Sequence, residues 1–191
     1  MTNLQKHLRT VRKHRKYVIQ MCWLMGLFWQ GLVHDLSKYS LKELSIAKYY
    51  GGTKSPHAVC REQLGYSPSW QYHYHRNKHH WQFWLDIEDY PDKIAAVKMP
   101  YKYVIEMFCD FVGAGKAYNT TKWNEDMPLD YYEKACRGKR LMHNDSENLL
   151  VLLLTKVKEL RMKEFVKWYK KNKKTLKKAY NEGKNYENQS N

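Results

Sequence analysis

Paired cysteines, a long apolar run and a balance of acid are all missing from this sequence, and each absence narrows what the chain can be. The four cysteines, Cys22, Cys60, Cys109 and Cys136, stand far apart with no CxxC pair, so no disulfide framework is indicated. Two of them fall in apolar helical patterns, where a free thiol packs as a small hydrophobe, and a reducing cytoplasm is the expected setting. The start is polar and basic without an early apolar region, and no signal peptide is expected. The most apolar stretch, Tyr17 to Val33, is short for a bilayer span of about 20 residues and carries Gln20 and Gln30. It reads as a buried core helix, with no membrane partner. No internal repeat is present.

Acid is the scarcer charge: 34 Lys and Arg against 19 Asp and Glu leave a formal net charge of +15. The excess is concentrated between Lys156 and Lys184. Such a chain draws phosphate-bearing partners by long-range steering, whether nucleotide, nucleic acid or anionic surface. A solvated lysine-rich helix gives the same composition. At 191 residues the chain is long enough for one domain with a substantial core.

What is present is helical periodicity. Leu4, Leu8 and Val11, then Val18, Ile19, Cys22 and Trp23, mark one apolar side between Thr2 and Val33, with Gly26 or Gly31 as the expected break. Ser40 with Glu43 three residues on reads as a capping box opening a short helix. Gly-Gly, Ser-Pro and Gly-Tyr-Ser-Pro punctuation predicts a loop over 51–69, and Asp86 to Met99 is turn-rich. Pro100 opens a helix whose stripe is Tyr101, Val104, Ile105, Phe108 and Val112, with Glu106 and Asp110 four apart on one face. After a polar stretch over 119–148, Ser146 is the expected cap of a helix with Leu149, Leu150, Leu152, Leu153, Val157 and Leu160 on its apolar face. The expected fold class is all-α. A helical core occupies 1–118, and a basic C-terminal helical extension over 119–191 packs on it, its last ten or so residues frayed.

His34 and Asp35 sit side by side at the end of the first apolar run, where both are costly to bury unless a metal or a hydrogen-bond network satisfies them. Other ligand-type residues are His14, then His73, His75, His79 and His80, then Asp110. Alone, His14 reads as a surface histidine in the basic stretch HLRTVRKHRK. If 70–85 is one helix, His75 and His79 share a face, while His73 and His80 lie on another, about 120 to 140° away. His75 and His79 are the favoured ligands, His80 next, and the remainder core or positioning histidines.

The order H…HD…H…H…D, carried by HDLSKYS, HYHRNKHHWQFW and MPYKYVIEMFCD, resembles the HD superfamily of metal-dependent phosphohydrolases. More closely, it resembles DUF5662, a family of phage and bacterial proteins. The resemblance spans roughly Lys13 to Gly115 and implies an HD-domain-like helical bundle. It implies that His14, His34, Asp35 and Asp110 hold one ion. Asp35 then bridges to a second ion held by His75 and by His79 or His80, with Glu106 orienting a histidine. Imidazole nitrogens mixed with carboxylate oxygens suit a divalent transition metal, Mn, Fe, Co, Ni or Zn, better than Ca. The implied activity is hydrolysis of a nucleotide or other small phosphorylated compound, in the host cytoplasm if the chain is phage-encoded. Asp35 and Lys38 are the expected catalytic residues. Lys38 and Arg76 meet substrate phosphate unless they face solvent, and Tyr39, Tyr72, Tyr74 and Trp81 stack a base or pack in the core. Two alternatives stand beside this: an HD-type di-iron oxygenase, and a non-catalytic metal-stabilised protein that binds nucleic acid or another protein through its basic C-terminal helix.

Overall fold

Thr2 starts the first helix by a reciprocal cap. Its hydroxyl accepts from Gln5 N at 3.2 Å, while Thr2 N donates to Gln5 Oε1 at 2.9 Å. This helix, α1 (Asn3–Met25), buries Val11, His14, Val18, Met21, Cys22 and Met25 on one side and stops at Gly26, whose φ of 77° ends it in the left-handed region. The break anticipated at Gly26 or Gly31 therefore falls at Gly26. The computed structural model describes residues 1–51, 54–87, 93–119 and 121–184.

After α1 come α2 (Phe28–Val33), a 3-10 turn over Leu36–Tyr39, α3 (Leu41–Leu44) and a second 3-10 turn over Ser45–Tyr49. Next are α4 (Pro56–Leu64), α5 (Pro68–Tyr74), a third such turn at Trp81–Trp84, and a short hairpin of β1 (Leu85–Ile87) and β2 (Ile94–Ala96). The hairpin is antiparallel, with Asp86 opposite Ala95. Then follow α6 (Tyr101–Tyr118), α7 (Met127–Ala135) and α8 (Asn144–Asn181). With 72% of the described residues helical, the fold is all-α, as expected.

Three local expectations are corrected. The loop expected over 51–69 contains α4 and the start of α5, because Ser55 and Ser67 accept from Ala58 N and Trp70 N as N-caps, and Pro56 and Pro68 fill the first turns. Ser-Pro is here a helix start, the proline having no N–H to leave unpaired. The passage read as turns after Asp86 is partly strand, and its centre, 88–92, lies outside the described residues. Ser146 does not cap α8. His143 does, its Nδ1 accepting from Asp145 N at 3.2 Å, while Ser146 is buried inside.

The core runs along α6, which packs on α1 and α8. Val18, Met21 and Cys22, then Ile105, Phe108 and Val112, then Leu150, Leu153 and Phe165 belong to one buried cluster. Residues from 1–118 and 119–191 thus share a single interior. Complete burial of a side chain such as Phe108 contributes about 1.5–3 kcal/mol. Gly113 lets α1 and α6 approach closely: a Cβ there would fall 2.4 Å from Val18 Cγ2. Within α8, Arg161 leaves helical geometry at φ 60° and ψ 160°, and its guanidinium reaches Asp126 Oδ1 at 2.7 Å. Beyond that break Tyr169, Leu176 and Tyr180 are still buried. The end expected to fray lies largely at 185–191, outside the described residues. Among the described residues no helix is long and apolar enough to cross a membrane.

Candidate metal centre

The α1–α6 contact is apolar except at one end, where the two helices and the chain after α2 turn polar side chains toward each other. His14 belongs to the buried stripe of α1. Glu106 and Asp110 stand one turn apart on α6. Asp35 enters between them because the chain reverses after α2: Asp35 adopts φ 55° and ψ 24°, left-handed geometry that a short polar residue tolerates. Arg15 fixes this reversal, donating through Nε to His34 O at 2.9 Å and through a second nitrogen to Leu32 O at 2.8 Å.

The two carboxylate oxygens of Asp35 face different partners. Oδ2 lies 3.3 Å from His14 Nε2 and 3.4 Å from His34 Nε2, and Asp110 Oδ1 completes that side at 3.1 Å from His14 Nε2 and 3.6 Å from His34 Nε2. Oδ1 lies 3.3 Å from His73 Nε2 and 3.5 Å from His79 Nε2, and His80 Nε2 is 2.8 Å from His73 Nε2. Both sets, His14 with His34, Asp35 and Asp110, and Asp35 with His73, His79 and His80, are spaced so that they could hold a metal ion. Donors 3.1 to 3.6 Å apart match corners of a coordination shell with bonds of about 2.1 Å.

Outer partners fix the tautomers. Glu106 Oε1 accepts from both His34 Nδ1 at 3.0 Å and His79 Nδ1 at 3.2 Å, which turns both Nε2 atoms toward the centre. Glu43 Oε2 does the same for His73 Nδ1 at 2.8 Å. Glu43 was expected to close a capping box. Ser40 Oγ does accept from Glu43 N at 3.4 Å, but the Glu43 carboxylate is spent on His73.

Burial makes the fit to a cation testable. His34, Asp35, His73 and His79 are almost wholly enclosed, yet His14 Nε2, His34 Nε2, His79 Nε2 and both Asp35 oxygens have no hydrogen-bond partner of acceptable geometry. Such buried groups are costly unless something completes them. Lys38 Nζ approaches Asp35 Oδ2 at 2.6 Å, a single cation for a site with this many open donors. The centre opens on the side of Lys38 and Asp110, whose side chains are 23% and 21% exposed, against 1% for Asp35.

Electrostatics follow from the same packing. Burial alone would raise the Asp35 carboxyl, but His34, Lys38 and His73 hold it well below its ordinary range. Burial opposes Asp110 likewise, and the neighbouring His14 and His34 lower it. For His34, burial is outweighed by Asp35, Asp110 and Glu106, which raise it. Burial and neighbouring positive charge lower His79 and His80. Lys38 is held above its usual value by Asp35 and Asp110 against the cost of burial.

The structure thus brings together His14, His34, Asp35, Asp110, His79, His80 and, at the rim, Lys38. It does not bring His75 or Arg76. The helix carrying His73 ends at Tyr74 and the chain turns, so the four-residue spacing of His75 and His79 never becomes a shared face. His75 and Arg76 are exposed beside an open groove of about 660 Å³ with Tyr72 and Lys42, and the Arg76 guanidinium lies 3.7 Å over the Tyr72 ring. In their place stands His73, aimed inward by the last turn of α5. Asn77, which no motif marked, holds the turn by donating to His73 O and Ser37 Oγ, each at 2.8 Å. Arg15 lies over one face of Tyr39 and Arg76 over one face of Tyr72.

Comparison with known proteins agrees in one respect. A model of a family of unknown function (DUF5662) matches residues 3–156, a stretch that includes every residue of the centre. No curated protein and no solved structure matches the chain.

Proposed function

Because the chain belongs to the DUF5662 family, a premise that fixes relatives but not chemistry, we propose that it is a metal-dependent phosphohydrolase of the HD type. It uses two divalent transition-metal ions and acts on a nucleotide or another small phosphorylated compound. One observation carries the reading: the buried Asp35 carboxylate turns one oxygen to each of two histidine groups, with the Lys38 ammonium 2.6 Å from Oδ2 and no hydrogen bond of acceptable geometry on Oδ1. Such a carboxylate suits a bridge between two cations. His14, His34 and Asp110 would hold the first, and His73, His79 and His80 the second.

Bound there, a pair of ions would supply a hydroxide at neutral pH and neutralise charge on phosphate oxygens. The chain's own part is positional. Glu106 and Glu43 keep three imidazoles in the tautomer that offers Nε2 inward. Lys38, charged and partly open to solvent, meets a substrate phosphate at the mouth. The enclosure of Asp35 excludes bulk water from all sides but that one. Arg76, away from the mouth, has no part in this. The lysine-rich half of α8 offers a surface for nucleic acid, and a cytoplasmic setting agrees with the four free thiols.

Purification without chelator, metal analysis per chain, and a screen of the same sample against nucleotides, cyclic dinucleotides and simple phosphate esters test this. About two ions per chain and turnover of a phosphate ester are expected, and Asp35→Ala removes both. An Asp35→Ala chain that keeps full metal, or a protein that binds iron and consumes oxygen without cleaving any phosphate ester, overturns it.

A further inference from the structure

α2 turns its apolar side chains outward. Phe28, Trp29, Leu32 and Val33 are 43%, 72%, 37% and 56% exposed, and Trp23 at the end of α1 is 63% exposed. The inward side of α2 carries Gly31, where a Cβ would fall 2.8 Å from Cys22 Cβ. The helix is therefore mounted on α1 by its glycine, with its large residues left to solvent. Trp23 and Phe28 meet edge to face with ring centres 5.0 Å apart, and Phe28 and Trp29 follow at 5.5 Å. Trp23, Phe28 and Trp29 thus form one exposed aromatic knuckle, and Leu32, Val33 and Leu36 are exposed in the chain that follows. Isolated exposed apolar residues are ordinary, but a contiguous set of aromatics and aliphatics marks a docking face.

Charge identifies what docks. Six Lys and Arg precede the first carboxylate of the chain, Asp35, and Asp35 is buried in the centre. Arg12, Lys16, Ile19 and Trp23 follow one another on a single face of α1, so cations lead directly to the knuckle. From α8, Lys173 Nζ reaches the turn, 3.7 Å from where a Cβ on Gly26 would lie. The knuckle is thus flanked by positive charge from two helices.

Tyr17 to Val33, expected as a buried core helix without a membrane partner, is thus exposed at its end, and we propose that this face binds peripherally to an anionic phospholipid surface. Trp23, Phe28 and Trp29 enter the boundary between headgroups and acyl chains, while Arg12, Lys16 and Lys173 lie on lipid phosphates. A second copy of the chain would set like charge against like. Single-stranded nucleic acid would use the aromatic rings but leave Leu32, Val33 and Leu36 without a partner, since these have no π-face for a base. The proposal uses no residue that holds metal and is independent of the reaction assigned above.

The test is co-sedimentation of the purified metal-loaded protein with vesicles of phosphatidylcholine alone and of phosphatidylcholine mixed with phosphatidylglycerol. Binding is expected to favour the mixed vesicles by about tenfold or more, with a blue shift of tryptophan emission and quenching by brominated acyl chains. Phe28→Ser with Trp29→Ser, and separately Arg12→Glu with Lys16→Glu, each lower that binding about tenfold. All four side chains are surface groups, so circular dichroism and bound metal stay unchanged. Equal binding to both vesicle types, or binding without acyl-chain quenching, overturns the proposal. So does a dimer that Phe28→Ser with Trp29→Ser dissolves, because a second copy then covers the knuckle. Displacement from vesicles by an oligonucleotide that itself quenches the tryptophans assigns the face to nucleic acid and also overturns it.

Discussion

Two buried polar networks in this chain are completed to different degrees. Between the start of α6 and the end of α8, Ser146 Oγ accepts from Met99 N at 2.9 Å and pairs with the Tyr180 hydroxyl at 2.9 Å, while that hydroxyl donates to Met99 O. This network closes on protein. At the other, His14 Nε2, His34 Nε2, His79 Nε2 and both oxygens of Asp35 are enclosed without a hydrogen bond of acceptable geometry, although Lys38 Nζ lies 2.6 Å from Asp35 Oδ2. A closed network ties elements together, whereas each open buried group costs about 1–3 kcal/mol. A chain that satisfies Ser146 and Tyr180 so fully, yet leaves the second set open, has in that second set groups that could hold a metal ion.

Breaking the outer support of the open network is expected to give the largest contrast. In Glu106→Gln a neutral amide oxygen replaces the carboxylate oxygen that receives both His34 Nδ1 and His79 Nδ1. Metal affinity should fall by about 10- to 100-fold, the usual effect of losing such a partner, with little change in helical content. Competition with a chelator of known affinity measures it. Unchanged affinity would mean that the two imidazoles are oriented by packing alone.

The closed network should respond in stability and leave metal content untouched. Tyr180→Phe strands Met99 O and removes a partner of Ser146, a loss of about 1–3 kcal/mol in denaturant unfolding. Its pH dependence has a definite sign. Burial pushes the Tyr180 hydroxyl up to about 12, with Asp145 adding to the rise and Ser146 opposing it. The unfolded chain therefore releases this proton near pH 10 while the folded chain keeps it. Tyr180 contributes fully below pH 10, and its contribution falls as pH rises toward 12. Tyr180→Phe should flatten the alkaline loss relative to the parent chain; an identical alkaline slope in both would show that the hydroxyl is not held as described.

Much of this architecture was legible in the sequence where one periodicity governs one helix. The stripes of α6 and the first half of α8 appear as read, whereas in α1 Val11, Val18 and Cys22 are buried but Leu4 and Trp23 are exposed; the His-Asp pair at the end of an apolar run does fall at a polar end of the core. Legibility failed where a residue type has two uses. Ser-Pro serves both loops and helix starts, so α4 was missed. Glu43 sits at a capping-box spacing, but its carboxylate is free to turn inward, and only the position of His73 decides which. The strand hairpin is only three residues per side, too short for a period-two pattern to declare itself.

The histidine block is the sharpest instance, and it yields the smallest expected effect. His75 and His79 share a face only if 70–85 is one helix, but α5 stops at Tyr74 and His73 is the buried histidine on it. His75 is exposed and contacts Tyr74 at a ring separation of 4.5 Å, so His75→Ala should change stability by no more than about 0.5 kcal/mol. It should leave bound metal as it was. His73→Ala removes a nitrogen 3.3 Å from Asp35 Oδ1 and strands the carboxylate of Glu43, so metal content should drop. Elemental analysis of the two variants beside the parent separates them. A loss in His75→Ala equal to that in His73→Ala would place the end of α5 one or two residues later and return the open network to the face that simple helical spacing suggests.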